Sequence, residues 1–246
     1  MAPIPPVNEI RLAEILNLIN NLAIGSIILP TGSRQLLCNI NTIVGLDPMS
    51  NLINARYLLG NHPQKKRIAQ LLGLQEIDQL PHSDVAAAAE VLVILASTKS
   101  GIDPEIISQW QNFRESYVPI IIAIVDLDNG DVDFEDMSAI VGKMLEPVVT
   151  PYLVLHSDDG NAAALINLES LKITDSSTGK AVSKESDLEH KELVKEFADE
   201  LTDALVEGGW DQFVQGLIIP AIPLLPESNL GVEEVKRFLN LIPSRS

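Results

Sequence analysis

Two uninterrupted apolar runs dominate the hydrophobic pattern of this chain. They cover residues 91–95 and 120–125 and consist of aliphatic, mainly β-branched residues, which is typical of strands buried on both faces. Between them, residues 105–117 place apolar side chains at helical spacing, and an Asp-Pro pair at 103–104 supplies an N-cap and a first helical residue. Two buried strands joined by an amphipathic helix form a βαβ unit, so the pattern predicts a parallel sheet.

The segments before this unit predict further alternation of helices and strands. We expect helices at 8–20, 33–44, 52–59 and 63–72, and a strand at 23–29. The segments after it predict a helix at 136–145 and strands at 152–155, 163–168 and 171–174. A polar loop at 176–186, a long acidic helix at 188–207, a last core strand at 217–222 and a helix ending at 241 follow. The acidic helix is predicted to carry six residues on its apolar side: Leu193, Val194, Phe197, Leu201, Leu205 and Val206. The predicted fold class is therefore α/β, with a doubly wound, mainly parallel sheet.

Composition narrows the class of protein. Of 246 residues, 46% are hydrophobic, which is enough for a sizeable core. The formal net charge of −17 argues against a free-standing nucleic-acid binder, because phosphate contacts need Lys and Arg. The lone Cys38 excludes an internal disulfide and fits a reducing compartment. The apolar runs are too short to cross a bilayer, and the Pro-rich N-terminus lacks a basic signal region. These features predict a cytoplasmic protein without membrane contact.

A first candidate site lies where the predicted strand at 23–29 meets the predicted helix at 33–44. A strand, a Gly turn and a helix N-terminus form the frame of a phosphate-binding loop. A working loop reads Gly-x4-Gly-Lys-[Ser/Thr]. Aligned on Gly32, this chain has Ser33 at the Lys position and Arg34 at the hydroxyl position. Gly32, Ser33 and Arg34 are the candidate nucleotide contacts, and the alternative is an ordinary strand-to-helix turn.

The stretch around the βαβ unit carries a family resemblance. Gly101-Ile102-Asp103-Pro104 opens the helix, Trp110 lies within it, Val118-Pro119 ends it, and the second strand ends in Val125-Asp126-Leu127-Asp128. This order resembles the GTP-binding domain of translation factors of the elongation factor G type, including the ribosomal-protection relatives. In that family the strand ends in Asn-Lys-x-Asp, and the last Asp reads the guanine edge. Asp128 matches that Asp, whereas Val125 and Asp126 replace the Asn and the Lys.

A second segment extends the resemblance to hydrolysis. Residues 77–85 are similar to the family's Asp-x-Pro-Gly-His-x-Asp-Phe segment. The match implies that Asp78 would hold Mg²⁺ through water and that His82 would position the attacking water. Pro81 replaces the Gly whose N–H contacts the γ-phosphate, and Pro has no N–H to donate. Read without the family, His82 is a polar surface residue.

The resemblance also implies a domain division and a partner. Residues 1–150 and 217–246 would form a P-loop-NTPase-like core, and residues 151–216 would form the α+β subdomain that this family inserts. There the family offers an acidic helix to a basic ribosomal stalk protein, which makes Glu192, Glu196 and Glu200 candidate partner contacts. The alternative is a solvated helix face. The same alternative applies to Lys65-Lys66-Arg67, the basic cluster of this acidic chain, whose functional interpretation is an anion or RNA contact.

Every nucleotide motif in this comparison departs from the family, and each lost hydrogen bond costs about 1–3 kcal/mol. The sequence therefore predicts an elongation factor G-like domain that has lost efficient GTP binding and hydrolysis and acts as a ribosome- or protein-interaction module. The alternative is a divergent, active GTPase that binds GTP or GDP with Mg²⁺ and uses Asp78, His82 and Asp128. An unrelated α/β enzyme is the third hypothesis.

Overall fold

The computed structural model of the chain describes residues 56–78, 89–128, 132–175 and 182–243. The strands in these ranges are β1 (Arg56–Leu59), β2 (Gln75–Glu76), β3 (Val91–Ser97), β4 (Ile120–Val125), β5 (Tyr152–His156), β6 (Ala162–Asn167), β7 (Lys172–Asp175), β8 (Val182–Glu185) and β9 (Ala221–Pro223). The helices are α1 (Lys65–Leu72), α2 (Pro104–Arg114), α3 (Phe134–Met144), α4 (Leu188–Leu193), α5 (Lys195–Leu205), α6 (Asp211–Val214) and α7 (Val232–Leu241).

A five-stranded sheet in the order β2-β1-β3-β4-β9 forms the centre of the fold, and every neighbouring pair in it is parallel. Strands β3 and β4 are buried along their whole length because helices cover both faces of the sheet. Their register pairs Leu92 with Ile120 and Ser97 with Val125. The predicted βαβ unit is confirmed, with α2 as its connecting helix.

The two faces of the sheet carry different helices. Side chains of α1 and α7 pack with one set of strand residues, which includes Leu58, Val93, Ile121 and Ala123. Side chains of α2 and α3 pack with the alternate set, which includes Leu59, Leu92, Ile94 and Ile122. Helices on both faces of a parallel sheet define a doubly wound α/β fold. The predicted fold class is confirmed.

A second, antiparallel sheet follows the core helices. Its strands lie in the order β5-β6-β7-β8, and α4, α5 and α6 follow β8 along the chain. Leu165, Ile166 and Ile173 of this sheet belong to the same buried cluster as the α2 and α3 side chains. The antiparallel sheet therefore shares its hydrophobic contacts with one face of the central sheet. The division into a core and a 151–216 insert stays a prediction.

The helix predicted at 52–59 is wrong over its described part, because residues 56–59 form strand β1. Leu58 packs on the α1 and α7 side of the sheet, whereas Tyr57 and Leu59 pack on the α2 and α3 side. Side chains that alternate between two faces have the period of a strand. A short apolar run buried on both faces has no periodicity that separates it from a helix.

Three other predictions need correction. The polar loop predicted at 176–186 contains β8, an exposed edge strand that pairs with β7 through its backbone. The helix predicted at 188–207 is two helices, α4 and α5, separated at Val194. The strand predicted at 217–222 begins at Ala221, because Leu217 is half exposed and precedes the sheet.

In the described ranges, no helix is long and apolar enough to cross a membrane.

Candidate functional site

The carboxyl edge of the central sheet holds a small polar cavity. Ligands of doubly wound sheets bind at this edge, where the strand order reverses. Here α1 connects β1 to β2 over one face and α2 connects β3 to β4 over the other, so the reversal lies between β1 and β3. A cavity of about 90 Å³ lies at this edge and is lined by residues that follow four of the strands: His62, Lys99, Asp126, Leu127, Asp128, Leu225, Pro226 and Glu227.

The loop between β1 and α1 has the frame of a phosphate-binding loop. Gly60, directly after β1, has φ +121°, and a Cβ there would lie 2.9 Å from the Leu95 Cβ and 3.0 Å from the Leu95 carbonyl oxygen. Counted from Gly60, Lys65 stands at the second Gly position, Lys66 at the Lys position and Arg67 at the hydroxyl position. The loop therefore keeps one Gly and the Lys but lacks the second Gly and the Mg²⁺-binding hydroxyl.

This loop was missed in the sequence because the helix predicted at 52–59 removed the strand that should precede it. The signal that could have found it was Gly60, after three apolar residues and six positions before Lys66. The phosphate loop predicted at Gly32, Ser33 and Arg34 lies outside the described residues, as does the candidate catalytic residue His82.

His62, in the middle of the β1–α1 loop, closes the crevice from one side. Its Nε2 lies 3.3 Å from both carboxylate oxygens of Asp126, and its side chain is 6% exposed. Its Nδ1 accepts a hydrogen bond from the Gln64 N–H at 3.1 Å. Because Nδ1 is an acceptor, the proton of the neutral ring lies on Nε2, from which it is donated to Asp126. The contact joins the ends of β1 and β4 across the end of β3.

Asp126 is held from several directions. The Ser97 hydroxyl donates to its Oδ2 at 2.6 Å, and the Thr98 hydroxyl donates to its carbonyl oxygen at 2.6 Å. Burial alone would raise the pKa of the Asp126 carboxyl, but the Ser97 hydrogen bond, His62 and the charge of Lys99 together lower it below its usual value. The residue has φ +64°, a conformation that Asp tolerates better than most side chains. Asp126 is therefore an ionised carboxylate fixed at the centre of the crevice.

Asp128, the predicted guanine contact, lies in the cavity wall. Its Oδ1 accepts from the Ala162 N–H at 2.9 Å, at the start of β6. The neighbouring Leu127 carbonyl oxygen is 3.4 Å from the His156 Nε2. The loop after β4 is thus bonded to the antiparallel sheet, and one of the two oxygens that would read a guanine edge already has a partner.

Asp78, the predicted Mg²⁺ residue, lies beyond the end of β2. Its side chain is 99% exposed and pairs with the Lys65 Nζ at 3.1 Å, and Lys65 also donates to the Ile77 carbonyl oxygen at 2.6 Å. Asp78 and Lys65 therefore form an ion pair with each other at the edge of the sheet. Among the described residues, no group of three His, Cys, Asp or Glu side chains could hold a metal ion.

The predicted partner residues lie on α4 and α5. Glu192, Glu196 and Glu200 are all exposed. Leu193, Phe197 and Val206, which the sequence predicts on the apolar side of one helix, are exposed as well, at 70%, 37% and 78%. Val194 and Leu201 are the buried members of that predicted set. The two helices consequently present a surface that is both acidic and apolar, which we call the α4–α5 surface.

The comparisons with known proteins bear on the fold. No protein-family model matches the chain, and no curated protein matches it. Among solved structures, the crystal structure of ttk003000868 from Thermus thermophilus is similar, with a TM-score of 0.63 and 16% sequence identity. The match covers 78% of this chain and 41% of that protein. The chain thus matches less than half the length of a structure whose name states no activity.

Proposed function

We propose that this chain is a GTPase-like domain of the elongation factor G type that has lost nucleotide binding and serves as a protein-interaction module in translation. The observation that carries the proposal is the closed crevice. A phosphate-loop frame leads from β1 into α1, yet His62 and Asp126 meet where a ligand of such a sheet would lie. The frame of a nucleotide site is kept, and its interior is filled by the chain's own side chains.

The size of the crevice supports this proposal. The cavity of about 90 Å³ has room for a few water molecules, each of which takes about 30 Å³ in the liquid. Pockets for small molecules and cofactors usually measure about 300–1,000 Å³. A nucleotide would need to displace His62 and open the contact between β1 and β4.

The charge of the crevice supports it as well. Asp126, Asp128 and Glu227 line the cavity with Lys99 and His62. A phosphate oxygen 4 Å from one carboxylate meets a repulsion of about 4 kcal/mol at an effective dielectric constant near 20. Lys66, at the Lys position of the loop, is exposed. An anionic ligand in this cavity therefore meets three carboxylates and one lysine, Lys99.

The alternative, an active GTPase, needs Asp78, His82 and Asp128 in nucleotide chemistry. Asp78 forms an exposed ion pair with Lys65, and Asp128 accepts from the Ala162 backbone. Both carboxylates have partners from the chain itself. These contacts favour the interaction module over the GTPase.

The α4–α5 surface is the part of the molecule that we assign to the partner. Its exposed Glu192, Glu196 and Glu200 suit a basic protein, and its exposed Leu193 and Phe197 add apolar area for a contact. The partner that the resemblance favours is the ribosome, through a basic stalk protein.

Calorimetric titration of the purified chain with GTP and GDP in the presence of Mg²⁺ tests the loss of nucleotide binding. We expect a dissociation constant above about 10 μM, which corresponds to a binding free energy weaker than roughly 7 kcal/mol. Lys66→Ala is the matched control, because it should change nothing if this lysine contacts no phosphate. Binding tighter than about 10 μM that Lys66→Ala weakens would show a working loop. GTP turnover that is lost in His82→Ala would establish the active GTPase.

A further inference from the structure

The contact between His62 and Asp126 is one part of a longer network that joins three strand ends. His62 follows β1, Ser97 ends β3 and Asp126 follows β4. We propose that His62, Ser97 and Asp126 form an internal clasp, which occupies the ligand position of the crevice and orders its loops through contacts within the chain. The clasp is an autoinhibitory contact: it makes closure a property of the chain itself, and a ligand could enter only by breaking it.

Each side chain of the network is bonded to other parts of the chain. The His62 ring accepts from the Gln64 N–H and donates to Asp126. The Ser97 hydroxyl donates to Asp126 and accepts from the backbone N–H groups of Lys99 and Ser100, at 3.1 and 3.0 Å. Every hydrogen-bonding side-chain atom of this clasp thus has at least one partner from the chain.

The positions of the three side chains allow the clasp to join the ends of three neighbouring strands. Strand β3 lies between β1 and β4 in the sheet, so the side chain from the β1 loop reaches across the end of β3 to the residue after β4. Ser97, at the end of β3 itself, completes the crossing. Asp126 has a positive φ, which for a residue other than Gly persists when surrounding contacts hold it. The clasp supplies those contacts from two neighbouring strand ends.

Replacement of His62 by Gly, followed by addition of free imidazole, tests the clasp. The variant removes the ring and leaves a ring-shaped space beside Asp126. We expect His62→Gly to lower the melting temperature by about 4 °C or more, and millimolar imidazole to restore at least about half of that loss. Imidazole should leave the wild-type melting temperature unchanged because its site is already filled.

His190→Gly is the matched control. His190 also pairs with an aspartate, Asp187, at 2.6 Å, but on the exposed surface of α4. Imidazole should leave the melting temperature of this variant unchanged. The same imidazole effect in His190→Gly as in His62→Gly, or none in a folded His62→Gly, would overturn the clasp.

If His62→Gly does not fold, His62→Leu provides the second test, because its side chain fills part of the space of the ring but cannot donate a hydrogen bond to Asp126. Amide hydrogen exchange should then accelerate at residues 97–101 and 126–128 by about tenfold or more, and stay unchanged in β6 and β7. Unchanged exchange at both segments would overturn the proposal. The result is separate from that of the nucleotide titration on the wild-type chain, so the clasp and the proposed function can fail independently.

Discussion

At the residue scale, Asp126 determines the character of the crevice. It stands where the translation factors that the sequence resembles have the Lys of their guanine-reading motif, so a carboxylate occupies the place of a cation. Ser97 and His62 both donate to that carboxylate. The substitution therefore reverses the charge presented to a ligand and supplies the acceptor on which the contacts across the sheet edge converge.

Asp126→Asn should destabilise the protein in a pH-dependent way. The folded-state pKa of Asp126 is lowered, so its contribution to stability is present above the unfolded-state pKa of about 3.9 and is lost as the pH falls through the folded-state pKa. We expect the difference in unfolding free energy between wild type and Asp126→Asn to be largest above about pH 5 and to shrink below about pH 4.

Urea unfolding at stepwise pH measures this difference. Asp199→Asn is the control, because Asp199 pairs with Lys195 on the exposed face of α5 and its loss should cost less than about 1 kcal/mol. A difference for Asp126→Asn that stays constant from pH 7 to about pH 3 would mean that its carboxylate does not stabilise the fold.

Contacts between individual residues of the crevice were the features least predictable from the sequence. Asp128 was identified from its match to the last Asp of the family's Asn-Lys-x-Asp motif, and it lies in the cavity wall. The contact of His62 with Asp126 joins residues 64 positions apart, and no local pattern reports such a distance. Gly60 was visible in the sequence, but its meaning depends on the backbone approach of Leu95, which only the folded sheet reveals.

At the element scale, predictions succeeded where hydrophobic patterns were long. Strands β3 and β4 are uninterrupted apolar runs, and α2 between them starts at a Pro. Strand β1 has four residues, too few for its period to be recognised. Strand β8 is exposed throughout, so no apolar pattern marks it, and backbone pairing with β7 alone defines it.

The acidic segment at 188–207 was also predicted only in part. One helix was predicted because no Pro or Gly interrupts residues 188–207. The helix is nevertheless interrupted at Val194. The side chain of Val194 is buried, whereas Leu193 and Phe197 on either side of it are exposed. The break divides one predicted apolar stripe into a buried part and an exposed part, which creates the α4–α5 surface.

Charge reversal of Glu192, Glu196 and Glu200 to Lys tests this surface. All three side chains are exposed, so the circular dichroism spectrum should be unchanged and the melting temperature should shift by no more than about 4 °C. Affinity for a basic ribosomal stalk protein should fall by at least about tenfold, because the surface then repels the partner.

A variant that reverses Glu76, Glu115 and Asp158 is the matched control, since these acidic residues are exposed elsewhere and the change in net charge is the same. It should bind the stalk protein more tightly than the α4–α5 variant does. Equal affinity of the two variants would mean that net charge, and not the α4–α5 surface, governs the contact.

At the scale of the whole molecule, the crevice and the antiparallel sheet are joined by direct contacts. The loop that carries Asp126 also binds β6 through Asp128 and meets His156 at the end of β5. On another side, Glu169 accepts from Arg237 of α7 at 2.6 Å and from Trp210 at 3.0 Å. These polar contacts and the shared hydrophobic cluster hold the antiparallel sheet to the core.

We expect the described part of the molecule to have no ligand-dependent state that a partner could recognise. A ligand changes a conformational equilibrium only by binding two states with different affinity. A crevice that is closed by its own side chains offers a nucleotide no such difference. Partner binding should therefore not depend on GTP or GDP.

Cosedimentation of the chain with ribosomes, measured without nucleotide, with GDP and with GTP, tests this claim most directly. We predict apparent dissociation constants that agree within about twofold in the three conditions, and that rise by at least about tenfold after charge reversal of Glu192, Glu196 and Glu200. Binding that is about tenfold tighter with GTP than with GDP would contradict the account, because it would require the nucleotide switch that the closed crevice excludes.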